Sequence, residues 1–256
     1  MRVDDAGDAG AARPGTAAIP QRRTEKISEI VAREIVHDMR SMAPGAKLPS
    51  EAAMLEKYRV GRASLREALR LLEVQGLIVI RPGPGGGPVV AAVDSRHFAR
   101  MASLYFHLSG ATYRDLAEAR LVMEPVMARL AAERQDPDDL AKLERFIQET
   151  PDSTNQPEYF RHSTEFHAVL SGMSGNPVLD LMGRSLKDLY ADRLEELIFP
   201  VDARVRVQQE HATIARAIVK GNAARAEKLM REHMVEFVDF AVSRSPAMFS
   251  EIVDWR

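Results

Sequence analysis

Three arginines recur at every fourth position between residues 62 and 70. Arg62, Arg66 and Arg70 would share one face of a helix, because residues four apart are neighbours on a helical surface. Guanidinium groups suit contacts to phosphates and, through paired hydrogen bonds, to the O6 and N7 atoms of guanine. Such a row is what a helix that enters the major groove of DNA needs.

Smaller residues nearby fit the same chemistry. Ser64 could add a contact to a phosphate or a base edge, and Gly85 and Gly86 would let the backbone approach the sugar-phosphate chain closely. The alternative is that the arginines form a solvated helix face and the glycines an ordinary hairpin loop. For the arginine row alone this alternative is favoured, since charged helix faces are common.

Three histidines in the second half of the chain suggest a metal site. His211 lies ten residues before Gly221, and His233 lies twelve residues after it. If the two helices fold back at this glycine, both side chains sit roughly 15–18 Å from the turn and are level with each other. With His167 from an earlier helix, three neutral imidazoles would suit Zn²⁺ or a similar divalent ion. Three separate, hydrogen-bonded histidines are the alternative.

The elements that would position the arginines follow one another in a recognisable order. Apolar residues recur with a helical period from 24 to 41, and turn signals then delimit helices over 50–58 and 61–74. Short strands follow at 77–81 and 88–92. A helix, a helix-turn-helix and a two-stranded wing make DNA binding the favoured interpretation.

From Asp94 onward the pattern is helical almost throughout, so we expect an all-α bundle of six or seven helices. Asp94 and Thr112 are candidate N-caps. The predicted fold class is mainly α, a winged helix-turn-helix domain followed by an all-α effector domain. The predicted ranges are a disordered tail over 1–20, the DNA-binding domain over 21–92, the effector domain over 93–245 and a C-terminal tail over 246–256.

Composition and charge agree with this division. The net charge of −2 combines −1 over residues 1–20, +4 over residues 21–92 and −5 over residues 93–256. A basic module joined to an acidic remainder suits a polyanion-binding head. The absence of cysteine excludes disulfides and thiol catalysis, and it fits a reducing cytoplasm. No apolar run approaches the length of a membrane span, so we expect no membrane association.

The DNA-binding half resembles the winged helix of GntR-type bacterial transcription regulators. The resemblance rests on Gly45-x-x-Leu48-Pro49-Ser50-Glu51, Val60-x-Arg62, Leu65-Arg66-Glu67-Ala68-Leu69-x-x-Leu72 and Gly76-Leu77-Ile78. It implies that Arg62 and Arg66 contact DNA. Ala52 and Gly61 depart from the family, which usually has Arg and Ser or Thr there, so we expect two DNA contacts to be missing.

The second half resembles the FadR branch of that family, whose effector domain is called FCD. The motifs are Glu118-Ala119-Arg120-x-x-x-Glu124-Pro125, Glu165-Phe166-His167, Gly175-Asn176-Pro177, Glu210-His211, Ala217-Ile218 and His233. Many members bind a metal through one Asp and three His, which match His167, His211 and His233.

Two residues decide what that resemblance implies for ligands. The expected Asp position holds Ser163, so the metal site could be weakened, completed by water or an effector carboxylate, or empty. Arg120 matches a family arginine that can hold an effector carboxylate, because its guanidinium pairs with two oxygens at once. A surface ion pair between Arg120 and Glu124 is the alternative.

These observations predict a cytoplasmic, ligand-responsive transcription regulator. Its expected partners are a double-stranded DNA operator, a small carboxylate effector and a second copy of itself, because palindromic operators need two heads at a fixed spacing. Two alternative functions remain open. One is a metal-dependent enzyme that uses the three histidines, and the other is a nucleoid-type protein that binds DNA without an effector.

Overall fold

The chain divides into two units, Met1–Ala91 and Ala92–Arg256. The computed structural model describes residues 25–92, 94–149, 151–195 and 199–255. The predicted tail over residues 1–20 lies outside the described residues.

The first unit has three helices followed by a two-stranded sheet. Its elements are α1 (Ile27–Met39), α2 (Glu51–Tyr58), α3 (Arg62–Val74), β1 (Ile78–Arg81) and β2 (Gly87–Val90). The strands are antiparallel, with Ile78 opposite Val90 and Arg81 opposite Gly87. This is the winged helix-turn-helix order that the sequence predicts.

Local chemistry explains where α2 and α3 begin and end. The Ser50 side chain accepts a hydrogen bond from the backbone N–H of Ala53 at 3.2 Å, which satisfies one free donor at the start of α2. Arg59 then takes a left-handed conformation with φ of 53° and ends that helix. Val60 and Gly61 follow, and Gly61 is the N-cap of α3. These bounds agree with the helices predicted over 50–58 and 61–74.

The described residues of the second unit form helices joined by short connections, with one isolated bridge between Thr112 and Ile252. Its helices are α4 (Ser95–Ser109), α5 (Tyr113–Arg134), α6 (Pro137–Gln148), α7 (Gln156–Met173), α8 (Pro177–Glu195), α9 (Val201–Val219), α10 (Ala223–Arg244) and α11 (Pro246–Ser250). Thr112 and Asp115 form a reciprocal capping box at the start of α5. The eight described helices exceed the predicted six or seven by the short α11.

Helix α5 is the centre of this bundle, because it packs against α7, α8, α9 and α10. One buried cluster, which includes Phe166, Ile214 and Met230, lies along its second half. A second cluster, which includes Tyr113 and Tyr190, lies along its first half. Both clusters therefore include residues of α5, and the side chains on its buried face are packed against several neighbouring helices.

Three residues between 246 and 255 belong to this core, namely Met248, Phe249 and Val253, although residues 246–256 were predicted to be a tail. Phe249 is fully buried with its neighbour Met248, and Ile252 forms a bridge with Thr112. The backbone N–H of Val253 donates to the carbonyl of Ala111 at 2.9 Å. The segment was missed because a five-residue helix is too short to show a helical period.

None of the described helices is both long enough and apolar enough to cross a membrane.

We expect Phe249→Ala to lower the free energy of unfolding of the helical unit by about 3–5 kcal/mol, because it empties a fully buried site. Chemical denaturation followed by circular dichroism measures this. Trp255→Ala is the control, since its side chain is 62% exposed and its loss should change stability by no more than about 0.5 kcal/mol. Equal stability of both variants would contradict the packing of this segment.

Candidate functional site

Helix α3 presents its arginines on one exposed face. Arg62, Arg66 and Arg70 are exposed and Ser64 is half-buried, while the opposite face carries the buried residues Leu65, Ala68, Leu69 and Leu72. The buried face packs against α1. Core packing thus orients the row of positive charge outward, as a helix that inserts into a groove requires.

Arg66 has a weak partner on the preceding helix. Its Nε lies 3.4 Å from an Oε1 of Glu51, and the two side chains are 71% and 43% exposed. An ion pair this exposed contributes little to stability, so a phosphate can replace Glu51 at low cost. Ala52, next to Glu51, is also exposed, which is where the family's usual arginine would stand.

The wing is the loop between β1 and β2, and its glycines are required by the turn itself. A Cβ atom on Gly86 would lie 2.2 Å from the carbonyl oxygen of Arg81, and Gly85 has a φ of 75°. The Lys47 ammonium donates to the carbonyl of Gly85 at 2.6 Å. Gly85 and Gly86 therefore have a conformational reason to be glycine, which is separate from the predicted approach to DNA.

In the second unit, three helices bring three histidines together. His167 is on α7, His211 on α9 and His233 on α10. Helix α9 turns into α10 at Gly221, which has a φ of 67°, and Asn222 caps α10 by accepting from the N–H of Arg225. The fold-back that the spacing predicts places His211 and His233 level with each other.

One ring nitrogen from each histidine lies within 4.8 Å of the other two. The Nε2 atoms of His211 and His233 are 3.1 Å apart. We call these three residues the histidine cluster. His162 does not belong to it, because its ring stacks on Phe146 with centroids 4.0 Å apart.

Carboxylates contact two of the three rings at their Nδ1 atoms. His167 Nδ1 lies 2.5 Å from an oxygen of Glu124, and His233 Nδ1 lies 2.7 Å from an oxygen of Glu210. When Nδ1–H donates to a carboxylate, the lone pair of Nε2 is left to bind a ligand. The third ring, that of His211, stacks on Phe166 at 4.1 Å.

The charges of the cluster follow from burial. Burial lowers the pKa of His167, and it lowers the pKa of His211 well below its usual value. Burial alone would raise the pKa of Glu124, but Arg120 and His167 outweigh it and hold this pKa well below the usual range. His211 is therefore neutral near pH 7, and Glu124 is charged.

The residues of the cluster fit a divalent metal. Zinc–nitrogen bonds of about 2.0–2.1 Å in a tetrahedral site place two nitrogens about 3.3 Å apart. The Nε2 atoms of His211 and His233 are already close to this spacing, at 3.1 Å, and a ring nitrogen of His167 lies within 4.8 Å of both histidines. The Nδ1 atom of His211 is buried without a hydrogen-bond partner among the described residues.

A small cavity of about 30 Å³ adjoins the cluster and is shared by Arg120, Ser163, His167, Lys187 and Tyr190. We call it the arginine pocket. The guanidinium of Arg120 is buried over the ring of Tyr190, with 5.8 Å from its central carbon to the ring centroid. The pocket therefore offers positive charge and hydroxyl groups to a small anion.

Comparison with known families explains both halves of the chain. Residues 27–86 match the model described as "Bacterial regulatory proteins, gntR family", and residues 115–236 match the model of the FCD domain. The HTH-type transcriptional regulator YcbG of Bacillus subtilis is 30% identical over 210 residues, which cover 81% of this chain and 87% of that protein. The chain belongs to the GntR family.

Other relatives of this GntR protein are regulators too. LutR of Bacillus subtilis is 27% identical over 77% of this chain and 92% of its own length. The repressor NanR of Cronobacter sakazakii is 28% identical over 90% of both chains. A solved GntR structure from Streptococcus agalactiae has a TM-score of 0.67 and 25% identity, and covers 83% of this chain and 99% of that one. The chain is thus a DNA-binding transcription regulator and not an enzyme.

Sequence reasoning on this GntR protein missed two residues of the site, Glu124 and Glu210. It treated Glu124 as a possible surface partner of Arg120. The pair does form, with 2.6 Å between Nε and Oε1, but the side chains are only 7% and 9% exposed. The four-residue spacing was a signal for the pair, whereas contact with a histidine 43 positions away left no sequence pattern.

We expect Arg62→Ala or Arg66→Ala to weaken specific DNA binding of the regulator by about 1–3 kcal/mol without unfolding it. Fluorescence anisotropy on a fragment selected from random DNA by the wild type measures this. Arg225→Ala is the charge-matched control, because Arg225 is exposed on α10 of the other unit. Full affinity in both α3 variants would exclude α3 as the recognition helix.

Proposed function

We propose that the helical domain of this regulator binds a small carboxylate next to a divalent metal, and that this binding changes the affinity of the winged helix for its operator. The observation that carries the proposal is one juxtaposition. The histidine cluster offers three imidazoles, and the buried guanidinium of Arg120 shares a cavity with one of them, His167.

The donor set supports the metal part of the proposal. Imidazole nitrogens suit zinc and similar divalent ions, and burial keeps His167 and His211 in the neutral form that binds metals. Glu124 and Glu210 hold the outer nitrogens of His167 and His233, as outer carboxylates do in zinc sites. When bound, the metal would supply a Lewis-acidic centre for ligand oxygens.

The charge of the pocket supports a carboxylate effector. Ser163 replaces the family's Asp, so His167 has no carboxylate from that position to balance a metal's charge. A buried charge is costly unless it is paired. Glu124 already pairs with Arg120 and Asp188 lies 3.5 Å from Lys187, so the charge left to balance would be that of a bound metal. A small carboxylate would balance that charge and could engage Arg120, which lines the same cavity, through two oxygens.

The regulatory part of the proposal follows from linkage. A C₂ homodimer would present two winged helices to a palindromic operator, in the cytoplasm where the DNA is. Any effector that changes operator affinity must have its own affinity changed by operator DNA by the same factor. A thermal-shift screen of small organic acids with zinc present would find the effector, and this reciprocity would then test it.

For the metal, we expect one equivalent of zinc per chain to bind the wild type and His211→Ala to lose at least about 100-fold in affinity, since it removes a ligand rather than an outer partner. Isothermal titration after chelator treatment measures this. His162→Ala, on the same helix as His167 but outside the cluster, is the control.

Ser163→Asp tests the same site by gain of function. It restores a carboxylate one helical turn before His167 and should bind zinc more tightly than the wild type does. Absence of zinc binding in the wild type and in Ser163→Asp would overturn the metal part of the proposal.

A further inference from the structure

The carboxylate of Glu124 joins two parts of the helical domain. One oxygen accepts from Nε of Arg120 at 2.6 Å, and the other lies 2.5 Å from Nδ1 of His167. The Glu124 side chain is buried and sits on α5, one turn after Arg120. A single buried side chain thus touches both the arginine pocket and the histidine cluster.

The contacts from Arg120 through Glu124 to His167 have a counterpart elsewhere in the domain, and the comparison shows how the two differ. Arg206, Glu210 and His233 repeat the order of arginine, carboxylate and histidine, with the arginine again four residues before the carboxylate. Here, however, Arg206 is 56% exposed and its Nε lies 3.8 Å from Glu210. Arg206 does not line the arginine pocket. Both carboxylates orient a histidine, but only Glu124 is tied to a buried cation in the cavity.

We propose that Glu124 is a positioning residue that couples anion binding at Arg120 to metal binding at His167. The inference rests on the proposed function, and it assigns the coupling between the anion and metal sites to one side chain.

The coupling follows from how one carboxylate is shared. By accepting from Nδ1 of His167, Glu124 would fix the ring proton there and leave the lone pair of Nε2 for a metal. Among the described residues, the only hydrogen bond of the Arg120 guanidinium is the one from Nε to Glu124, and its terminal nitrogens are available to an anion. An anion there draws part of the guanidinium charge away from Glu124. Glu124 then becomes a stronger acceptor for His167, and His167 a stronger metal ligand.

Simple attraction between a bound anion and a bound metal would also couple the two ligands, without any role for Glu124. The two explanations differ in one respect. Attraction through space survives the replacement of Glu124 by an uncharged side chain of the same shape, whereas coupling through Glu124 does not.

The test is a zinc titration of the full-length protein by calorimetry, with acetate as the probe anion and chloride at equal ionic strength as the reference. We expect acetate to tighten zinc binding at least about fivefold in the wild type. Glu124→Gln and Glu210→Gln should each weaken zinc binding about 10–100-fold. Only Glu124→Gln should also lose the acetate effect, since Glu210 is not connected to Arg120.

Two outcomes would overturn the coupling. One is a wild type whose zinc affinity does not respond to acetate, and the other is a Glu124→Gln variant that keeps the full response. Because Glu124→Gln leaves Arg120 without its buried partner, the double variant Arg120→Gln/Glu124→Gln, which removes the anion site as well, is the control that should show no acetate response under either explanation. Circular dichroism verifies that both variants are folded.

A readout without metal separates this inference from the proposed function. Nitrogen-15 spectra of the histidine rings show which ring nitrogen carries the proton. We expect His167 to be protonated on Nδ1 in the wild type and in Glu210→Gln, and to lose this preference in Glu124→Ala. If the wild type binds no zinc, the metal proposal fails while this result still decides the positioning role. An unchanged His167 in Glu124→Ala would overturn that role.

Discussion

The buried ion pair between Arg120 and Glu124 is the constraint around which the helical domain is arranged. Removing two charges from water costs several kcal/mol per ion, and the attraction between them compensates only if their remaining hydrogen-bonding capacity is also satisfied. This explains why His167 meets the second oxygen of Glu124 and why the aromatic rings of Tyr190 and Phe237 lie against the guanidinium. The site thus depends on the burial of α5, which packs against five other helices of the domain.

The DNA-binding unit meets a different constraint, because its charges must remain in water. Helix α3 has to bury leucines on one face and expose arginines on the other, and both sets recur at three- or four-residue intervals. The leucines and the arginines therefore occupy different positions on the helix surface. The same arginine chemistry that is costly inside the helical domain costs little here, where Arg66 has only an exposed partner.

Much of the fold could be predicted from the sequence, because periodicity and capping are local. The caps at Ser50 and Thr112 and the level placement of His211 and His233 all follow from residues close in sequence. The burial of Phe249 and the contact of Glu124 with His167 could not be predicted, because each depends on which helices meet in three dimensions. A four-residue Arg–Glu spacing looks the same on a solvated face and in a core.

The number of residues between the turn at Gly221 and each of His211 and His233 determines whether their imidazoles meet. Each residue inserted into a helix rotates the remainder of that helix by about 100°, so an insertion of one residue between Gly221 and His233 would carry this imidazole out of the cluster. The apolar residues of α10 beyond the insertion would move with it, whereas the winged helix, a separate unit, would not. A change in the length of α10 would therefore alter the histidine cluster and leave the winged helix as it is.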